Sequence, residues 1–447
     1  MYIINFLLEK SNVNVFKETI KKNLEKSKLR HYSLYFFSGL FLIFVALIHF
    51  QLISLGSKTT KGLIGIGVLI LATPVLLNVV FPKEELPKPS GKFKIGTRIY
   101  ELKDKKRDEI YTDVKGDKRK IMYQVWYPTN KTVGYEKAKW ISEGTTLTRH
   151  LAKSMHVPGF TLDQVADIYS NSFLNAPISN ALTKYPVVVI SHGWKSFRQL
   201  HTEFAEELAS NGFIAISIDH TYGSQTVEFD DNEIAYLNPK ALPKILNPSK
   251  FNQFGNKLIK TFGEDVISVL NDLDRLNSSS DFEDRLDLDE IGLLGHSTGG
   301  GGDVYVALKD KRIKAVMGLD AWINPLESKI LKPGLRIPAL FLSSEPWSKR
   351  QNDRDLKKLI RNSHNAELVV MKETKHVDFA MTYMFSPLTK YIGFTGKMGG
   401  RYSSKIQREF ILEFFEKNLK HDLEIDSEYL KRIVNKYENL EMRYKNN

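Results

Sequence analysis

No cysteine occurs among the 447 residues, which excludes disulfides, thiolate metal sites and cysteine nucleophiles. The compartment stays open, because a reduced cytosol and a cysteine-poor exported protein both allow zero. Also lacking is a dense basic run interleaved with aromatics, the surface that a nucleic-acid partner requires. The formal net charge is +12, but residues 1–82 carry nine Lys/Arg against three Glu, about half of that excess. The remainder is spread thinly over the rest of the chain. There is no internal repeat or low-complexity tract. The glycines at 299–302 are not followed by the Lys-Ser/Thr that phosphate cradling needs, which argues against nucleotide binding. Neither a cofactor nor a structural metal is expected. What is present suffices for one large domain with appendages.

Two long apolar runs stand out, Leu34 to Leu55 and Gly62 to Phe81, both free of Asp, Glu, Lys and Arg. Each is near the roughly 20 residues that span a bilayer, and each is apolar all round rather than along one stripe. Joined by the polar link 56–61, they predict a two-helix transmembrane hairpin with both ends on one side. Pro74 would kink the second helix. The runs begin too far from the start, and come as a pair, for a cleaved signal peptide. Residues 16–33, beside the first run, carry six cations (Lys17, Lys21, Lys22, Lys26, Lys28, Arg30), residues 83–98, beside the second, carry five (Lys83, Lys88, Lys92, Lys94, Arg98), and the link holds two. Cations collect on the cytoplasmic side, so the expected location is the cell membrane with the large domain in the cytoplasm. The chain divides into a basic segment (1–33), the hairpin (34–82), the main domain (83–425) and a charged helical extension (426–447).

Beyond a proline-rich linker at 81–90, antiparallel strands are expected at 94–101, 110–113 and 121–127. Pro186 to Ser191 is β-branched and apolar on both faces, as a buried parallel strand requires. Ser196 to Gln199 offers a capping box for a helix reaching Ser210. Strands at 213–218, 291–294, 313–319, 337–342 and 366–371 then alternate with helices at 258–276 and 405–418. That order predicts an α/β fold with a mostly parallel, doubly wound sheet. The stretch 130–183 reads as an irregular polar region, and residues 223–257 and 377–403 lack clear periodicity and are candidates to cover the active site.

The most informative stretch is IGLLGHSTGGGG, Ile291 to Gly302, where an apolar segment meets GxSxG and then a glycine-rich helix start. A serine at the apex of a tight strand-to-helix turn needs neighbours without side chains, so this is a nucleophile elbow of the α/β-hydrolase type with Ser297 as nucleophile. A serine hydroxyl needs a base, and the base needs a carboxylate to fix its tautomer. The expected chain order is Ser, acid, His. Of His364, His376 and His421, only His376 falls in a loop just past a strand, where a parallel sheet carries its site residues. Asp320 and Glu345 both end strands, and strand-end placement does not choose between them. Asp378 reads as a solvated loop carboxylate. The developing oxyanion needs backbone donors. One is the N–H of Thr298; the second belongs to the loop His192-Gly193-Trp194, in which His192 itself is a loop-fixing residue.

The blocks SHGW (191–194), GHSTG (295–299), GLDAW (318–322), Ser344-Glu345 and KHVDF (375–379) resemble those of the plasma-type, group VII platelet-activating factor acetylhydrolases, in the same order from about residue 90 to 420. The resemblance implies that Ser297, Asp320 and His376 form the triad and that Trp194 and Thr298 supply the oxyanion donors. It also implies an α/β-hydrolase without metal or calcium that removes short or oxidised acyl groups from phospholipids. The chain departs from the family in its hairpin, in a tryptophan in place of leucine after His-Gly, and in the long segments 130–183 and 223–257. The expected activity is therefore that of a membrane-tethered serine hydrolase acting on carboxylic esters of lipids or small molecules. The same triad could serve a peptidase or acyltransferase, and a catalytically dead, membrane-anchored binding protein is the alternative of another class.

Overall fold

The computed structural model describes residues 80–445 apart from 246, 423 and 427, together with Gly56, Thr59, Gly62, Gly65 and Gly67. The expected transmembrane runs lie almost wholly outside the described residues. Among the described residues, no helix is long and apolar enough to cross a membrane.

Thirteen strands are described: β1 Lys94–Asp108, β2 Lys118–Thr129, β3 Lys137–Lys139, β4 Tyr169–Leu174, β5 Tyr185–Ser191, β6 Ile214–Asp219, β7 Thr226–Glu228, β8 Ile234–Tyr236, β9 Leu286–His296, β10 Ile313–Leu319, β11 Ala339–Ser344, β12 Ala366–Met371 and β13 Leu440–Lys445. Eleven form one sheet in the order β13-β12-β11-β10-β9-β5-β6-β2-β1-β4-β3, and β7 and β8 make a separate hairpin. From β6 through β12 the neighbours are parallel; β2 pairs antiparallel with both β6 and β1.

Alternation along β5 shows why the sheet is buried on both faces. Val187 and Val189 enter one core with Leu293, Val316, Val266 and Leu270, while Val188 and Ile190 enter the other with Phe204, Leu208, Leu294 and Phe410. The first core lies under the helix Pro248–Asn277, and the second under the helices Thr202–Ser210 and Gly400–Leu419. Burial of each such side chain contributes about 1.5–3 kcal/mol. The central strands are thereby fixed rigidly, and their C-terminal ends point to one edge of the sheet.

Four local expectations are corrected. Residues 110–113 are bends, because β1 runs on to Asp108 and the chain must then turn back into β2. The helix at 196–210 begins only at Thr202, after a 3-10 turn at Arg198–His201, and the capping box does not form. Arg198 is instead drawn to Asp219, which accepts its N–H at 2.9 Å and its guanidinium. The stretch 130–183 is ordered: the helix Thr145–Ser154 packs under Trp140, Leu162 and Phe385, and β4 pairs parallel with β1. The stretch 426–447 is not merely a surface helix. Its helix Tyr429–Lys436 buries Tyr429, Leu430 and Ile433 in the second core, and β13 pairs antiparallel with β12 to cover the sheet edge.

The chain enters the domain along one flank. The Ser386 hydroxyl donates to the Val80 carbonyl, and Arg401 pairs with Glu84 at 2.6 Å.

Candidate active site

β9 ends at His296, and Ser297 follows at φ 54° and ψ −118°, capping the helix Thr298–Ala307. Positive φ at a non-glycine residue is strained, and here it turns the side chain out of the sheet. Backbone bonds on both sides hold the turn: the Ser297 N–H donates to Leu319 at 3.0 Å, and the Trp322 N–H donates to Ser297 at 2.8 Å. Close approach explains two glycines. A Cβ at Gly299 would stand 2.5 Å from the carbonyl oxygens of Ser191 and His192, and one at Gly193 would stand 2.9 Å from the Ser297 Cβ.

The three residues that sequence order brings into question meet at the same edge. His376 opens the 3-10 turn after β12, with Nε2 2.9 Å from Ser297 Oγ and Nδ1 3.0 Å from Asp320 Oδ2. Asp320 is fully buried and also accepts the N–H of Ser344 at 2.7 Å and its hydroxyl at 2.6 Å. Its carboxylate therefore has four-way support for one orientation: the end of β10, two bonds from Ser344, and the imidazole. Glu345 lies apart, bonded to Lys349 at 2.9 Å. Asp378 is not a solvated loop carboxylate: it is 2% exposed and accepts the N–H of Lys375 at 2.7 Å and of Gly396 at 2.8 Å. It clamps the loop that carries His376. His364 and His421 are elsewhere, the latter paired with Glu290 at 3.0 Å.

On the other side of the serine, the turn 192–194 is pinned by His192, whose Nδ1 lies 2.7 Å from the Gly193 carbonyl and whose Nε2 lies 2.7 Å from Ser224 Oγ. Only a protonated Nδ1 can serve that carbonyl, which fixes the tautomer. Among the described residues, no acceptor bonds the backbone N–H of Trp194 or of Thr298. Of these two free donors, one directly follows Ser297 at the positive end of a helix and the other follows Gly193, which packs against Ser297; such donors suit an anion.

Three nearby imidazoles are held neutral. Burial holds His296 well below the usual imidazole range, lowers His201 to about 3 and lowers His220 to about 4. His296 donates from Nε2 to the His376 carbonyl at 3.0 Å, while Trp347 stacks on the His376 ring. Sequence reasoning missed the roles of Ser344, His296 and Trp347. For Ser344 a signal existed in the parallel register, since Leu319 aligns with Leu342 and so sets Asp320 beside the end of β11. For the two ring contacts no linear signal exists. Among the described residues, no group of three His, Asp or Glu is arranged to hold a metal.

A strand-to-helix turn carrying Ser297 at the end of β9, with Asp320 after β10 and His376 after β12 on a mostly parallel sheet, is the arrangement of the α/β-hydrolase class of fold. The chain belongs to the family described as "Platelet-activating factor acetylhydrolase, isoform II", whose model matches residues 78–250 and 256–436. Among curated proteins it is similar to platelet-activating factor acetylhydrolase of Canis lupus familiaris, 28% identical over 55% of this chain and 59% of the relative. It is 24% identical to the probable 1-alkyl-2-acetylglycerophosphocholine esterase of Arthroderma benhamiae over 53% of this chain and 58% of that one. The chain thus spans about six tenths of the length of these relatives. Among solved structures, the ferulic acid esterase from Streptomyces cinnamoneus shares the fold, with a TM-score of 0.68, 21% identity, and coverage of 81% of this chain and all of that one.

Proposed function

We propose that the protein is a carboxylic-ester hydrolase in which Ser297, His376 and Asp320 act as nucleophile, general base and orienting acid. The observation that carries this reading is the continuous chain of contacts from Ser297 Oγ through both imidazole nitrogens to Asp320, at 2.9 and 3.0 Å. The bond from Oγ to the acyl carbon forms as the Ser297 proton passes to Nε2. The carbonyl electrons move onto oxygen, where the N–H groups of Trp194 and Thr298 receive them. Collapse expels the alcohol with the proton from Nε2, and water repeats the sequence to release the acid. The names of the relatives support an acetyl or other short acyl ester of a glycerophospholipid as substrate.

The apolar runs at 34–55 and 62–81 support a transmembrane hairpin spanning 34–82, and their flanking cations support a cytoplasmic catalytic domain at the cell membrane. Tethering would hold the site beside amphiphilic esters. The test is hydrolysis of p-nitrophenyl acetate and of 2-acetyl and long-acyl phospholipids by wild type and Ser297→Ala. Wild type should turn over the acetyl esters fastest, and the variant should lose about 10⁴-fold or more in kcat. Undiminished turnover in Ser297→Ala would remove the proposal.

A further inference from the structure

On the reading that His376 is the base, we infer that Trp347 is a positioning residue for its imidazole. Trp347 opens the short turn Trp347–Lys349 after β11, and its indole stacks on the His376 ring with centroids 4.4 Å apart and planes 16° apart. The imidazole is otherwise tied through Nδ1 to Asp320 at 3.0 Å and through Nε2 to Ser297 at 2.9 Å. Two such bonds define an axis through the ring and leave rotation about that axis open. A flat face laid on the ring closes it. The His296 ring, 4.6 Å away at 40°, adds a second wall and holds the His376 carbonyl through its Nε2. The indole N–H of Trp347 is buried without a partner among the described residues, so packing rather than a hydrogen bond sets the indole's position.

The stack also has an electrostatic sign. When His376 takes the Ser297 proton it becomes a cation, and an indole face attracts cations. Apart from Asp320, which bonds it directly, the other groups around it are committed elsewhere or neutral. Asp320 bonds Nδ1 rather than the ring face; His296 is held neutral by burial; Lys375 donates to the Gly393 carbonyl; Asp378 binds two backbone N–H groups; Glu345 pairs with Lys349. Arg350 lies over the same indole, 5.2 Å from its centre, and competes with the imidazolium for it.

The test uses the full chain in detergent or vesicles with p-nitrophenyl acetate, comparing Trp347→Phe, Trp347→Leu and Trp347→Ala for kcat, KM and the pH dependence of kcat/KM. Ala and Leu should lower kcat about 10-fold or more while KM moves less than about twofold, and Phe should recover most of the loss. The acid limb of kcat/KM should lie at lower pH in Leu than in Phe, because losing the aromatic face disfavours the imidazolium. Leu filling the volume as well as Phe, with equal kcat and the same acid limb, would overturn the inference. Should Ala fail to fold, the Phe and Leu pair still decides. Ser297→Ala run in parallel separates the two claims: turnover there sinks the assignment of the triad, whereas an inactive Ser297→Ala beside a fully active Trp347→Leu sinks only the role of Trp347.

Discussion

Asp303 lies in the helix that Ser297 caps, where Oδ1 accepts the Ser191 hydroxyl at 2.7 Å and Oδ2 is buried without a partner among the described residues. Burial pushes its carboxyl up to about 8 from 3.8. The unfolded chain releases this proton near 3.8, whereas the folded one keeps it to about 8. The group's contribution to stability is therefore fully present below the lower value and is lost as pH rises through the upper one. Asp303→Asn keeps the shape and has no proton to lose, so its Tm relative to wild type should climb by a few degrees between about pH 5 and 8. A constant offset across that range, in a thermal-melt series, would contradict this account. Residues such as Ser297 and His376 were legible in the sequence because strand-to-helix geometry dictates their neighbours and loop placement dictates their order. Asp320 and Glu345 were not separable by residue chemistry alone. What separates them is the His376 imidazole, which meets Asp320 at 3.0 Å while Glu345 turns to Lys349, and a contact between residues 56 positions apart is written in neither segment alone.

Among the elements, the parallel strands β5, β6 and β9 to β12 were visible as short apolar runs, because a strand buried on both faces has no polar side to disguise it. The C-terminal elements were hidden for the opposite reason. Tyr429, Leu430 and Ile433 of the last helix are buried and Val434 is partly so, while the lysines and arginine around them read as solvated surface. The packing carries a prediction: Leu430→Ala and Ile433→Ala should each cost about 2–5 kcal/mol in urea unfolding, as core truncations do. Losses within about 0.5 kcal/mol, the usual result for surface positions, would return this helix to the status of an appendage. The capping box at Ser196 failed for a related reason. A local signal worth about 1 kcal/mol gave way to the buried Arg198, which pairs with both Asp219 and Glu143.

At the scale of the whole molecule, the described domain and the expected hairpin make separable claims. If residues 34–82 form the anchor, the full chain should resist alkaline extraction from membranes, and deletion of those residues should release a domain that still hydrolyses a water-soluble ester. With the domain on the cytoplasmic side, protease added outside intact cells should leave it uncut. Extraction of the full chain by carbonate would contradict the anchor, and digestion from outside would reverse the orientation. The chemistry stands apart from both outcomes, since it rests on three side chains gathered at the sheet edge. The most direct measurement of that claim is peptide mapping of the adduct formed with a fluorophosphonate. The account predicts one modified residue, Ser297, and no adduct in His376→Ala on the same timescale. A stoichiometric adduct on any other serine, or equal labelling without His376, would contradict it.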